Sequence, residues 1–471
     1  MKTLSRLAAI VATALLLAYS AQAATVFLWN VPTPGANSWN VNARWLPATG
    51  NPGSADTATF GLTGTAADAT TVNNVVSVNT AIDFLAYTNT TAGTWHVTQI
   101  PTGVTLSTSF EVTVGTSFYP IAGPAPTDNQ SVSAAMVGGG TFQASGSVFI
   151  IGCPGRSILN SGTILDLSGL SNFVFNASAG GILIGASNRC TAGMNLANGS
   201  NYITVGTIDL DTGSSSSSGP AENLKLGAGT NVINAGAINI GANRTAGTVN
   251  FVTTTGGLRL RGTAGGDSDR VTSVFLGLRN TGSSTGGTTT GTLAWNGHAV
   301  DAKIATLTMG QEASFSNAGL IGVGDVQFDQ GTLDVTTINM AIVTGSHSNN
   351  AASGTMTVGA NGTLLANSIS LANTALTTNG ISATGMLFVN GGTAICSNNI
   401  FKTGTLNVNT GTVAVANGGT LFMLGKIGSP ANPVDNLNVT NGNIKVRVDG
   451  SGSITTNACV VTVNASGATT F

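Results

Sequence analysis

Apolar residues alternate along much of this chain. Ile208 and Leu210, Ile238 and Ile240, Leu258 and Leu260, and Leu333 and Val335 each leave one residue between them. That period-two pattern predicts short strands with one buried face, divided by Gly, Asn and Ser turns. The strands repeat. Laying Leu196–Leu210 over Leu226–Ile240 matches Leu196/Leu226, Gly199/Gly229, Asn201/Asn231, Ile203/Ile233, Gly206/Gly236 and Ile208/Ile238 at an offset of 30. An earlier copy from Leu167 fits at an offset of 29, which sets Asn172 against Asn201 and Val174 against Ile203. Glycines opening the later copies, Gly331, Gly362 and Gly392, are spaced by 31 and 30 residues.

Strands that return every 30 residues with no helical pattern between them predict an all-β fold, a parallel β-helix or β-solenoid. Its coils stack about 4.8 Å apart around one apolar column. Residues 138–471 leave room for about eleven coils, a rod on the order of 50 Å. Stacking also predicts an amide ladder through Asn172, Asn201 and Asn231. Loops that follow Ile184, Ile240 and Leu276 vary in length while the strands do not, which makes them the expected place for binding.

Residues 24–137 read differently. Eight of the twelve prolines lie at or before Pro126, so irregular first coils are expected there. A stacked sheet needs its end covered, and Trp29, Trp39, Trp45 and Phe60 are the candidate residues of an aromatic N-terminal cap. Exposed tryptophans that stack on sugar rings are the alternative.

Composition narrows the class. Asp, Glu, Lys and Arg make up 7% of residues, glycine numbers 64 and the net charge is −2. Low charge with positive mean hydropathy opposes disorder, and without basic patches nucleic acid is not an expected partner. Lys2 and Arg6, the apolar run Leu7–Ala18 and Ala21-Gln22-Ala23 form the three parts of a secretory signal peptide over residues 1–23. The expectation is a secreted or cell-surface protein with no transmembrane segment in its mature chain.

The series Trp29, Trp39, Trp45, Pro52, Gly53, Asp56-Thr57-Ala58, Phe60 resembles the leader of bacterial autotransporter-associated β-strand repeat proteins. The Gly-Thr-Leu units at Gly331, Gly362 and Gly404 look like their repeats. The resemblance implies a passenger-like, right-handed β-helix at the cell surface or in the extracellular matrix. Members often continue into a membrane β-barrel or a C-terminal sorting helix with a basic tail. Here the sequence shows neither up to Phe471, where another coil could begin.

Candidate chemistry is sparse. Cys153 and Cys190 follow equivalent strands one coil apart and are a candidate disulfide. Cys396 aligns with the inward positions Val335 and Ala366, and Cys459 is in phase with Val461 and Val463, so both are expected as buried thiols. His96, His298 and His347 share no ligand spacing, and no metal or cofactor motif is present. Asp209, Asp211, Arg259, Arg261, Asp267, Asp269 and Arg270 form the one charged cluster, with Asp209, Asp211, Arg259 and Arg261 facing outward by parity. A polysaccharide-degrading β-helix enzyme would use such a patch. The other reading is a solvated ion-pair network. Outward residues of the best-aligned coils are Asp209, Asn239 and Arg259, so no threonine column is predicted. The sequence is thus read as a structural or adhesive rod without catalysis, its expected partners surface polysaccharide or other matrix proteins. A polysaccharide-binding or polysaccharide-degrading β-helix is the alternative.

Overall fold

The computed structural model describes residues 25–89, 91, 93–115, 131–152, 162–185, 191–210, 221–242, 246–279, 287–314, 318–376, 380–404, 408–429, 431–446 and 469–470. The expected signal peptide, Cys153, Cys190, Cys459 and Asp211 lie outside these residues, as do the loops following Ile184 and Ile240 and most of the loop following Leu276. Apart from one 3-10 turn at Asn42–Arg44, the regular elements described are strands. No helix among them is long and apolar enough to cross a membrane.

The strands build a parallel β-solenoid with three lateral faces. Gly287–Ala294 runs along face I and pairs in parallel with the start of Leu320–Val343, one coil on. The strand Ala299–Glu312 covers both other faces. Its first half stacks on Gln330–Val335 along face II and its second half on Thr337–Val343 along face III. Rung by rung, Ile182, Ile208, Ile238, Val274, Leu307, Ile338, Ile369 and Ile400 lie in register and all are buried. This is the predicted apolar column. Each such side chain contributes about 1.5–3 kcal/mol by leaving water, which lets a chain with few charges hold a long rod.

Several alignments hold: Gly331 pairs with Gly362, and Val335, Ala366 and Cys396 share one inward rank. Cys396 is 1% exposed, its thiol 3.6 Å from the Asn367 carbonyl. The unit at Gly404 is not equivalent, because Gly404 pairs with Thr374 at the end of face III.

The earliest repeat is one residue out of the expected register. Asn172 pairs with Ser200, and Phe173 with Asn201. An offset of 29 would put Val174 on the Ile203 rung. The offset of 28 puts Phe173 and Phe175 inside instead, where they pack against Phe149 at ring distances of 5.7 and 5.6 Å. A one-residue slip exchanges the two faces of a strand, and burying two aromatics outweighs a third amide rung. The ladder therefore has two members. Asn201 Nδ2 donates to Asn231 Oδ1 at 2.9 Å, and each Asn also accepts the amide N–H four residues before it, at Ala197 and Gly227. Asn172 turns outward to Thr141 Oγ1 at 3.3 Å.

Parallel stacking does not wait for residue 138. Val26–Trp29 already pairs in parallel with Thr57–Phe60, which pairs with Phe84–Tyr87. On its other edge, Val26–Trp29 pairs antiparallel with Trp45–Leu46. Trp29, Trp39, Trp45 and Phe60 are 1%, 1%, 0% and 0% exposed, so the sugar-stacking alternative has no accessible ring there. Trp45 stands edge-on to Trp29 at 5.0 Å and to Trp39 at 5.5 Å, the favoured aromatic geometry. Its Nε1–H donates to the Trp39 carbonyl at 2.8 Å, and Trp39 Nε1–H to Asn74 Oδ1 at 2.7 Å. Asp56 fixes the approach to the next strand by accepting the N–H of Gly53 at 2.9 Å and of Thr25 at 3.1 Å.

Candidate functional site

The outward surface of face II holds most of the charge the sequence singles out, but in a different arrangement. Its strands Gly257–Arg261, Ala299–Glu312 and Leu320–Val343 set Arg259 beside Asp301 and Asp301 beside Thr332, and set Lys303 beside Asp334. Asp209 does not belong to this group. It lies on face III beside Asn239, whose Nδ2 donates to its carboxylate at 2.6 Å, and burial raises its pKa.

Arg261 faces outward by parity yet is 3% exposed, which corrects the expectation of a solvated residue. Its Nη2 donates to both Asp301 oxygens at 2.7 Å, and its Nη1 to the carbonyls of Leu260 and Asp301 at 2.9 and 2.8 Å. A charge-assisted pair of this kind is strong, and with the two carbonyls it holds the guanidinium against the sheet. Arg270 reaches Asp334 at 2.7 Å, with Lys303 4.0 Å from the same carboxylate. Arg259 pairs with Asp267 at 2.9 Å, where the Asp267 side chain is 96% exposed. Asp269 closes the turn between the strands by accepting the N–H groups of Ala264 and Gly265 at 2.8 and 3.0 Å.

Sequence reasoning missed Asp301, Lys303 and Asp334. The signal was present, since Asp301 and Lys303 flank the inward Ala302 one coil before Thr332 and Asp334. It became readable only once the coil register was known.

Chemically, this belt is a poor acid–base centre. Asp301 and Asp334 each bind a guanidinium, and Asp269 binds backbone amides. Arg259 lowers the Asp267 pKa below the usual carboxylate range, which weakens it as a base. A second titratable group, Glu312, is pushed up to about 7 by burial, partly offset by hydrogen bonds from Ser314, Asn350 and Gly345 and by the Arg279 charge. A carboxyl raised that far is often a catalytic signal. Glu312 is 0% exposed, however, and offers no access to a polymer. No group of three or more metal-ligating residues occurs among the described residues.

The pairing geometry predicts unequal mutational costs. Asp301→Ala strands the Arg261 guanidinium against the sheet and is expected to lower stability by about 2 kcal/mol, discounted because Asp301 is half-exposed. Asp267→Ala removes a solvated partner and should change stability by less than about 0.5 kcal/mol. Urea denaturation of both variants checks this, and equal effects would show that Arg261 is not held as described.

Toward the C-terminus the outward side of face II changes character. Thr332, Thr363, Thr393 and Thr420 form one in-register rank. Beside it, Leu365, Ile395 and Phe422 form a second rank, and all seven residues are half-buried. A threonine column is thus present, against expectation. Asp209 and Asn239 lie on face III, and Arg259 stands on face II in the same rank as Thr332 but two coils earlier, so the threonines begin only beyond it. The strip repeats about every 4.8 Å along the rod and is flanked in the apolar rank by Asp334 on one side and by Lys445 on the other, whose Nζ stands 5.2 Å over the Phe422 ring. Compared with family models, with curated proteins and with solved structures, the chain matches none of them.

Proposed function

We propose that this protein is an exported structural and adhesive rod that works at the cell surface or in the extracellular matrix, with face II as its contact surface. The strip of Thr332, Thr363, Thr393 and Thr420 beside Leu365, Ile395 and Phe422 carries this reading. Hydroxyls spaced by the coil repeat, next to a rank of apolar side chains, suit a polymer that presents its own repeating hydroxyls and apolar ring faces. Surface polysaccharide is such a polymer. The ion-paired belt beside the strip supports binding over catalysis, because its carboxylates on face II are engaged. The resemblance of the leader and repeats to autotransporter-associated proteins agrees with a surface or matrix location.

Co-sedimentation with a panel of insoluble polysaccharides tests the reading. The protein is expected to sediment with at least one polymer and to release no reducing or unsaturated ends. Thr363→Lys combined with Thr393→Lys, two outward changes at the centre of the strip, should weaken that binding at least tenfold, about 1.4 kcal/mol or more. Undiminished binding by the double variant would move the contact surface elsewhere. Release of chain ends would favour the polysaccharide-degrading alternative.

A further inference from the structure

Lys402 is an inward-facing lysine. It follows Ile400 by two residues on face III and is 1% exposed. Its stem is packed, since a Cβ added at Gly411 would lie 3.6 Å from Lys402 Cδ and 3.2 Å from Leu371 Cβ. Nζ donates to the Asp435 oxygens at 2.8 and 2.7 Å and to the Asn409 backbone carbonyl at 3.0 Å. Asn409 is 2% exposed. Its Nδ2 donates to the carbonyls of Thr374 and Thr403 at 3.0 and 2.7 Å, while its Oδ1 is buried without a hydrogen-bond partner. Asp435 also accepts the Gly411 N–H at 2.6 Å.

A buried amine, a buried carboxamide with an orphaned oxygen and a carboxylate on the amine make up the parts of an amide exchange. We propose that Lys402 and Asn409 condense into an intramolecular isopeptide bond, with Asp435 carrying the proton. The Lys402 ammonium gives a proton to Asp435, and the neutral Nζ attacks the Asn409 side-chain carbon. Asp435 returns that proton to Nδ2 and takes up the second proton that Nζ sheds, the bond from that carbon to Nδ2 breaks, and ammonia leaves, with Asp435 left protonated until it gives its proton to the ammonia or to solvent. One C–N bond forms, one breaks and nothing is oxidised or reduced. Nζ already bonds the Asn409 backbone carbonyl, and fixed placement replaces a bimolecular encounter. The carbonyls of Thr374 and Thr403 hold the departing nitrogen, and the orphaned Oδ1 is the atom on which negative charge develops. The product ties the end of face III to the start of the next strand on face I, a covalent clasp near the C-terminal coils. This inference uses none of the face II residues and stands apart from the proposed adhesive role.

Intact mass and a tryptic map of the native protein test the proposal. The expected result is a mass lower by one ammonia than the processed sequence, with a branched peptide joining Lys402 to Asn409 and no cleavage after Lys402. Asn409→Asp should form the same link with loss of one water, and Asp435→Asn should leave the mass unshifted. An unshifted native mass, or cleavage after Lys402, overturns the proposal. Loss of water with a Lys402–Asp435 branch in the native chain overturns the assignment to Asn409. Native protein suffices for these readouts, so a variant that fails to fold does not remove the test.

Discussion

Replacing Trp45 by alanine is expected to lower stability by about 3–5 kcal/mol. Trp45 is 0% exposed and lies at the centre of the terminal cluster, with Trp29, Trp39 and Phe60 at ring distances of 5.0, 5.5 and 5.6 Å. Its removal costs the transfer of a large side chain, the edge-on contacts and the hydrogen bond to Trp39. Because Trp45 also begins the antiparallel strand that covers Val26–Trp29, the loss exposes a strand edge as well. In a solenoid each coil is stabilised by its neighbours, so unfolding of the variant should start from this end. Urea denaturation followed by tryptophan fluorescence reports it directly, since four of the five tryptophans lie within residues 29–95. A loss below about 1 kcal/mol would mean that the cluster is not a structural end piece.

Acid should destabilise the same end. His96 is fully buried against Phe60 and Tyr87, and burial lowers its pKa from 6.5 to about 4 despite the hydrogen bond to Gly61. A carbonyl only accepts, so Nε2 carries the proton that bonds Gly61 O at 2.6 Å, and Nδ1 is left without a partner. Protonation would add a charge and a donor with nothing to receive it. The unfolded chain binds the proton more readily, so this stability is complete above about pH 6.5 and is lost as pH falls toward 4, about 3 kcal/mol in all. Glu312 acts with the opposite sign. Its pKa is raised from 4.5 to about 7, so its contribution is complete below pH 4.5 and fades as pH rises through 7. The difference between the native chain and His96→Gln, measured by denaturation at pH 7.5 and pH 4.5, isolates the histidine. Parallel pH profiles would show that His96 is not held neutral.

The resistance of the rod to unfolding and its surface chemistry have separate origins. Inward ranks and the terminal aromatic cluster supply burial. Outward ranks are free to vary, and on face II they pass from paired ions to threonine and aliphatic residues within a few coils. Lateral contacts of such a rod can therefore change without disturbing its core.

Alternation of apolar residues and a 30-residue return were sufficient, from the sequence alone, to specify an all-β parallel solenoid. They also identified the inward set, including Ile208, Ile238, Val335 and Cys396. These are local properties, since parity and period depend only on spacing along the chain. Which outward residues meet is a different kind of fact, because a neighbour on the next coil is set by the number of residues in the intervening turns. One residue fewer before Ser200 placed Phe173 where an asparagine was expected. The lengths of the connections between strands decided that Arg261 binds Asp301 and that Asp209 lies on face III. The threonine rank of face II and the meeting of Lys402, Asn409 and Asp435 arise in the same way. Asp435 stands 33 residues from Lys402, and only stacking brings the two into contact.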